Sequence, residues 1–133
     1  MTDVSIPEGS VDKFLGIFSK YLAVLLEGGL AKECPVDNGD LRNSIDVSVV
    51  DGKLLVKMHE YGVYVEYGTL PHVIEAKNAK ALHWKSGGKD VFAKRVNHPG
   101  TAPNPFIRRT FFSKFNSFVE QAATIAEREV NLI

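Results

Sequence analysis

A single cysteine, Cys34, among 133 residues excludes an intrachain disulfide and any zinc site built on several thiolates. Its ordinary role is that of a small buried hydrophobe at a helix end. Net charge is missing too. Sixteen basic residues balance sixteen acidic ones, so no global field draws in nucleic acid or an anionic membrane, and any such contact has to come from a local patch. Long apolar runs are also absent. The longest, Tyr21 to Leu26, falls far short of the roughly 20 residues a membrane span requires, and the opening MTDVSIPEGS has neither a basic region nor an apolar one. The expectation is a soluble chain made in the cytoplasm, with no membrane partner.

At 44% hydrophobic the chain is long enough for one core and short for two, so a single domain over 1–133 is expected. Ser10 and Asp12 can open a helix in which Val11, Phe14, Leu15, Phe18, Tyr21, Leu22, Leu25 and Gly29 recur at helical spacing, ending near Cys34 before Pro35. The polar stretch Asp37 to Asp40 turns the chain, with a short helical turn through Arg42. Ile45 to Val50 alternates, Asp51-Gly52 makes a turn, and Leu54, Val56 and Met58 alternate again; this is a hairpin. Val63 to Tyr67 reads equally as one helical turn or a short strand. His72 to Lys77, Ala81 to Lys85 and Asp90 to Val96 are strand candidates, with Gly87-Gly88 as a tight turn. After Asn104 as cap and Pro105 as first residue, a long helix carries Ile107, Phe111, Phe115, Phe118, Ala122 and Ile125 on one stripe. The order helix, sheet, helix predicts an α+β fold: a mainly antiparallel sheet of about four strands packed against an N-terminal and a long C-terminal helix.

Catalytic chemistry finds little footing. His59, His72, His83 and His98 are the imidazoles available to a metal, but no two have helical ligand spacing and no HExxH occurs. A metal-dependent hydrolase using His72, His83 and His98 is one alternative, and it would need loops to bring the three together. No G-x-S-x-G elbow is present, and Cys34 has only Lys32 as a basic neighbour in sequence. Asp37 with Asp40, or Glu60 with Glu66, are carboxylate pairs of the kind that usually lie solvated. Gly87-Gly88-Lys89 lacks the rest of a phosphate loop. The expectation is a protein that is not an enzyme and uses no cofactor. Residues 77–94 are locally basic through Lys80, Lys85 and Lys89, with Trp84 as a platform on which a base could stack. Those residues define a nucleic-acid-binding alternative.

Three separated phrases then read together: Pro35-Val36-Asp37-Asn38-Gly39-Asp40-Leu41-Arg42-Asn43-Ser44; Tyr64-Val65-Glu66-Tyr67-Gly68-Thr69 with His72; and His98-Pro99-Gly100-Thr101 with Pro103-Asn104-Pro105-Phe106-Ile107-Arg108. In this order they resemble the tail-component family of long-tailed bacteriophages, whose members are neck or tail-completion proteins. Asn38 stands where that family usually has threonine. The likeness covers Cys34 to about Arg109; the first helix and the last turns match only in pattern.

The resemblance implies a structural virion protein of the head-to-tail neck that works by ring assembly, sixfold, or twelvefold nearer the portal. Its partners would be further copies of itself, the connector or stopper, and the tail-tube or terminator proteins, with DNA in the channel as a further contact. A ring joins one patch of a subunit to a different patch of the next. Candidate interface residues are Tyr64 and Tyr67 in the aromatic segment 61–69 and Lys80, Trp84, Lys85 and Lys89 in the loop 78–89. Arg95 and Arg108 are added because arginine and aromatic residues anchor interfaces.

Overall fold

The computed structural model describes residues 6–36, 39–77 and 80–130. The protein is α+β, with its antiparallel strands between an N-terminal helix, α1 (Ser10–Glu33), and a long C-terminal helix, α4 (Phe106–Val130). It divides into two compact units. A helical unit comprises Met1–Gly62 with Pro105–Ile133, and a ribbon unit comprises Val63–Asn104. Among the described residues six strands pair as three separate two-stranded ribbons, a finer partition than one sheet of about four strands.

In the helical unit, Gly9 caps α1 in a left-handed conformation (φ 82°) without a side-chain hydrogen bond, so Ser10 is the first helical residue and not the cap. At the far end the Cys34 amide still donates to Leu30 O (2.9 Å) before Pro35 stops the helix. Arg42 comes from α2 (Asp40–Ser44) to donate from Nε to Ala31 O (2.9 Å), satisfying a carbonyl in the last turn of α1. Ser44 accepts the His59 amide (2.8 Å). The first phrase of the resemblance is therefore a helix-end fastening; its Asp37 and Asn38 lie outside the described residues.

Strands β1 (Asp46–Val50) and β2 (Lys53–Lys57) form the expected hairpin, with Val47 opposite Val56. Asp51 and Gly52 both have positive φ (50° and 74°), the geometry of a two-residue turn that matches strand twist. The hairpin is anchored to α1 where the Val47 amide donates to Glu27 Oε1 (2.9 Å). The core is built from Leu22, Leu26 and Leu30 of α1, Leu41, Ile45 and Val47, and Phe106, Ala122 and Ala126 of α4. Burying a side chain such as Leu26 or Phe106 contributes roughly 1.5–3 kcal/mol. Thr110, also fully buried, satisfies its hydroxyl on Phe106 O (2.7 Å).

Both helical stripes differ from expectation. The buried seam of α4 runs through Phe106, Thr110, Ala122 and Ala126, whereas Phe111 is exposed. The reason lies at Gly29: a Cβ there would sit 2.6 Å from the Phe118 ring, so the absent side chain sets which face of α4 approaches α1. On α1 the seam is Leu22, Leu26 and Leu30, while Val11 and Leu15 are about half exposed (53% and 52%). The first three turns thus keep an uncovered apolar side. Among the described residues α1 is also long and apolar enough, by length and composition, to cross a membrane. The uninterrupted run from Tyr21 to Leu26 understates it, because the apolar positions are spread over the whole helix.

Candidate functional site

The ribbon unit contains most of the residues singled out from the sequence. It begins within α3 (Tyr61–Tyr67), which settles that segment as helical. Two strands follow from opposite ends of the segment: β3 (His72–Glu75) pairs with β6 (Arg95–His98), placing His72 opposite His98 and Ile74 opposite Val96. Inside them β4 (Leu82–Ser86) pairs with β5 (Lys89–Ala93) around Gly87 and Gly88, both at positive φ (59° and 80°). The strand expected over 90–96 is two strands, because the chain changes partner at Lys94, whose carbonyl accepts the Ala76 amide (2.9 Å).

The second and third phrases, about thirty residues apart in sequence, close on each other. Thr69 and Thr101 exchange both backbone hydrogen bonds at 3.0 Å, and the Asn104 amide donates to Val65 O (2.8 Å). Two glycines make this possible. Gly68 (φ 75°) would put a Cβ 2.6 Å from Thr101 O, and Gly100 (φ 86°) would put one inside contact distance of Thr69 O. His98 reinforces the closure by accepting the Gly100 amide on Nδ1 (3.0 Å). His72 holds Leu70 O through Nδ1 (2.8 Å), and the two rings stack with centroids 4.9 Å apart. A carbonyl only accepts and an amide only donates, so His72 donates from Nδ1 whereas His98 accepts on Nδ1.

Beyond this closure the unit has an unusual surface. Among its described residues no apolar side chain is buried; Glu66 alone is. Leu82, Trp84, Ile74 and Val96, with His83 and His98, line an apolar cleft of about 480 Å³. Phe92, stacked on His83 with centroids 4.6 Å apart, is 66% exposed. Two-stranded ribbons are marginal alone, and a segment of this size rarely supplies its own core.

Of the expected interface residues, Tyr64 and Tyr67 lie three apart on α3 and are 60% and 66% exposed, not core. Trp84, Lys85 and Lys89 lie together on the β4–β5 ribbon, with Lys80 exposed just before it. Asn78 and Ala79 of the same loop lie outside the described residues. Arg95 is exposed and pairs with Glu75 at 3.6 Å. Arg108 belongs to the helical unit and is exposed on α4. Phe92 and the closure between Thr69 and Thr101 were not singled out; the pattern over 90–96 pointed to a strand but could not say which face stays open.

The histidines do not converge as a ligand set. His83 Nε2 lies 3.0 Å from Asp90 Oδ1 on its own ribbon, and no group of three or more metal-ligating side chains gathers among the described residues. Cys34 is buried, and burial pushes its thiol up while Arg42 pulls more weakly the other way. That is the reverse of an activated nucleophile. Comparison with protein-family models, curated proteins and solved structures finds no match for this chain.

Proposed function

We propose that the protein is a structural component of the head-to-tail neck of a long-tailed bacteriophage or prophage, a tail-completion or head-tail joining protein that acts by assembling into a ring. The observation that carries this reading is the ribbon unit. The two phrases Tyr64 to Thr69 and His98 to Arg108 resemble the tail-component family, and their glycines close the base of a segment without a buried apolar side chain of its own. A segment built in this way gains its cover by docking, which is the work of a subunit in a ring. Exposed Tyr64, Tyr67 and Phe92 supply aromatic anchors of the kind that dominate such contacts.

In this reading α1 is a packing helix, because Leu26 and Leu30 are fully buried in the helical unit. The protein needs no cofactor and resides in the virion after synthesis in the host cytoplasm. Quantitative mass spectrometry of purified particles tests the proposal. A sixfold or twelvefold ring gives about six or twelve copies of the chain per particle, and absence from infectious particles would overturn the proposal.

The basic patch gives the second reading, a nucleic-acid-binding module using Lys80, Lys85 and Lys89. Those lysines are exposed, Lys85 and Lys89 on the ribbon that carries Trp84. Tight, salt-sensitive binding of duplex or single-stranded DNA by the isolated protein would favour it. No gel shift at low salt would remove it.

A further inference from the structure

Zero net charge conceals a polarity between the units. The ribbon unit carries six basic residues, Lys77, Lys80, Lys85, Lys89, Lys94 and Arg95, against three acidic ones, Glu66, Glu75 and Asp90, a net +3. Because the whole chain balances 16 against 16, the helical unit carries −3. That negative charge gathers at one end of the helix pair. Tyr21 donates to Glu129 Oε1 (3.2 Å), which joins the N-terminal half of α1 to the last turns of α4. Residues 6–21 and 120–130 there contain Glu8, Asp12, Glu120, Glu127 and Glu129 against Lys13, Lys20 and Arg128, a net −2 of the unit's −3.

The same end holds the uncovered apolar side of α1, with Val11 and Leu15 one turn apart and Ile6 exposed just before the helix. Each surface therefore has what the other lacks: a basic ribbon with an apolar cleft, and an acidic helix end with exposed aliphatic side chains. Opposite charge at the rim of apolar patches sets the register of docking and suppresses other registers. The two surfaces differ from one another, so joining them between copies makes a head-to-tail contact, the kind that closes into rings.

We propose that the basic ribbon of one copy docks on the acidic end of the α1–α4 pair of a second copy, with Val11 and Leu15 of the second copy covering the Trp84 cleft of the first. This names the interface of the ring and rests on the ring reading for its closure, although the pairwise contact stands on the two surfaces themselves.

Zero-length coupling of amines to carboxylates tests it directly. Full-length protein labelled with heavy nitrogen is mixed with unlabelled protein at high concentration and low salt, and coupled peptides are identified by mass spectrometry. Mixed heavy-light links joining Lys85 or Lys89 to Glu8, Asp12, Glu120 or Glu127 are expected. Links confined to single copies, links to other carboxylates, or no links between copies would overturn the docking. Lys85→Glu with Lys89→Glu should weaken self-association at least about tenfold, and adding Asp12→Lys with Glu127→Lys in the same chain should restore it, which a misfolded variant would not do. Failure of the swap to restore binding counts against the proposal, as does salt-sensitive DNA binding by those lysines without links between copies. Links of other kinds in a chain that is nonetheless found in the neck would sink this interface and leave the ring standing; the expected links in a chain absent from particles would do the reverse.

Discussion

Replacing Gly100 by alanine separates two costs that are usually confounded. At φ 86°, a residue with a Cβ pays about 1–2 kcal/mol for the left-handed conformation. Here the added carbon would also press on Thr69 O and approach Leu70 and Pro71 backbone at 2.9 Å. None of these is a flexible chain end, so relief requires backbone movement at a further cost of about 1–3 kcal/mol. The sum, about 2–5 kcal/mol, falls on a closure of two reciprocal 3.0 Å hydrogen bonds at the base of marginal ribbons. Amide hydrogen exchange reads this locally. Thr69 and Thr101 should exchange at least about 30-fold faster in Gly100→Ala, while Leu26 and Leu30 amides keep their protection. Gly87→Ala is the control: its φ is also positive (59°), yet no atom lies within 4 Å of the added carbon. It should cost about 1–2 kcal/mol at the β4–β5 turn and leave Thr69 and Thr101 unchanged. Equal effects of the two substitutions on Thr69 and Thr101, or none from Gly100→Ala, would refute the steric argument.

Other outcomes follow from particular contacts. Gly29→Ala should lower stability by about 1 kcal/mol, as Phe118 is displaced despite the gain in helix propensity, whereas Gly28→Ala, with open space around it, should raise stability by about 0.5–1 kcal/mol; denaturant midpoints at constant slope distinguish them. The Cys34 thiol, buried with its ionisation pushed up, should resist a disulfide reagent at neutral pH until the helical unit opens, and rapid native-state labelling would contradict its placement. Tyr21 is raised above the ordinary tyrosine range by its hydrogen bond to Glu129 and by that carboxylate's charge. A raised pKa in the folded state means that the contribution is full below the unfolded tyrosine value near 10 and is lost as pH climbs through the folded one. Ultraviolet titration should show Glu129→Gln moving Tyr21 back toward the ordinary value, and an unmoved titration would remove the contact.

The parts of the fold governed by local chemistry were legible. Pro35 stopping α1, Asp51-Gly52 turning β1 into β2, and Gly87-Gly88 turning β4 into β5 each follow from backbone preferences within a few residues. The α+β class follows from the order of the patterns. What was not legible depended on partners distant in sequence. Whether Val11, Leu15 or Phe111 faces a core is decided by how far α1 and α4 overlap and by the gap at Gly29, and periodicity says only that they share a side. The strand expected over 90–96 ran through Lys94 because both halves alternate, although each half finds a different partner. Of the candidate site, Tyr64 and Tyr67 are exposed, and Trp84, Lys85 and Lys89 share one ribbon. Arg108, chosen from the same phrases, lies in the other unit.

Stopping this gene early in a phage that carries it tests the proposed joining of heads to tails. Electron microscopy of the lysate should show DNA-filled heads and finished tails accumulating apart, with joining restored when the protein is supplied. Intact infectious particles formed without it would contradict the claim.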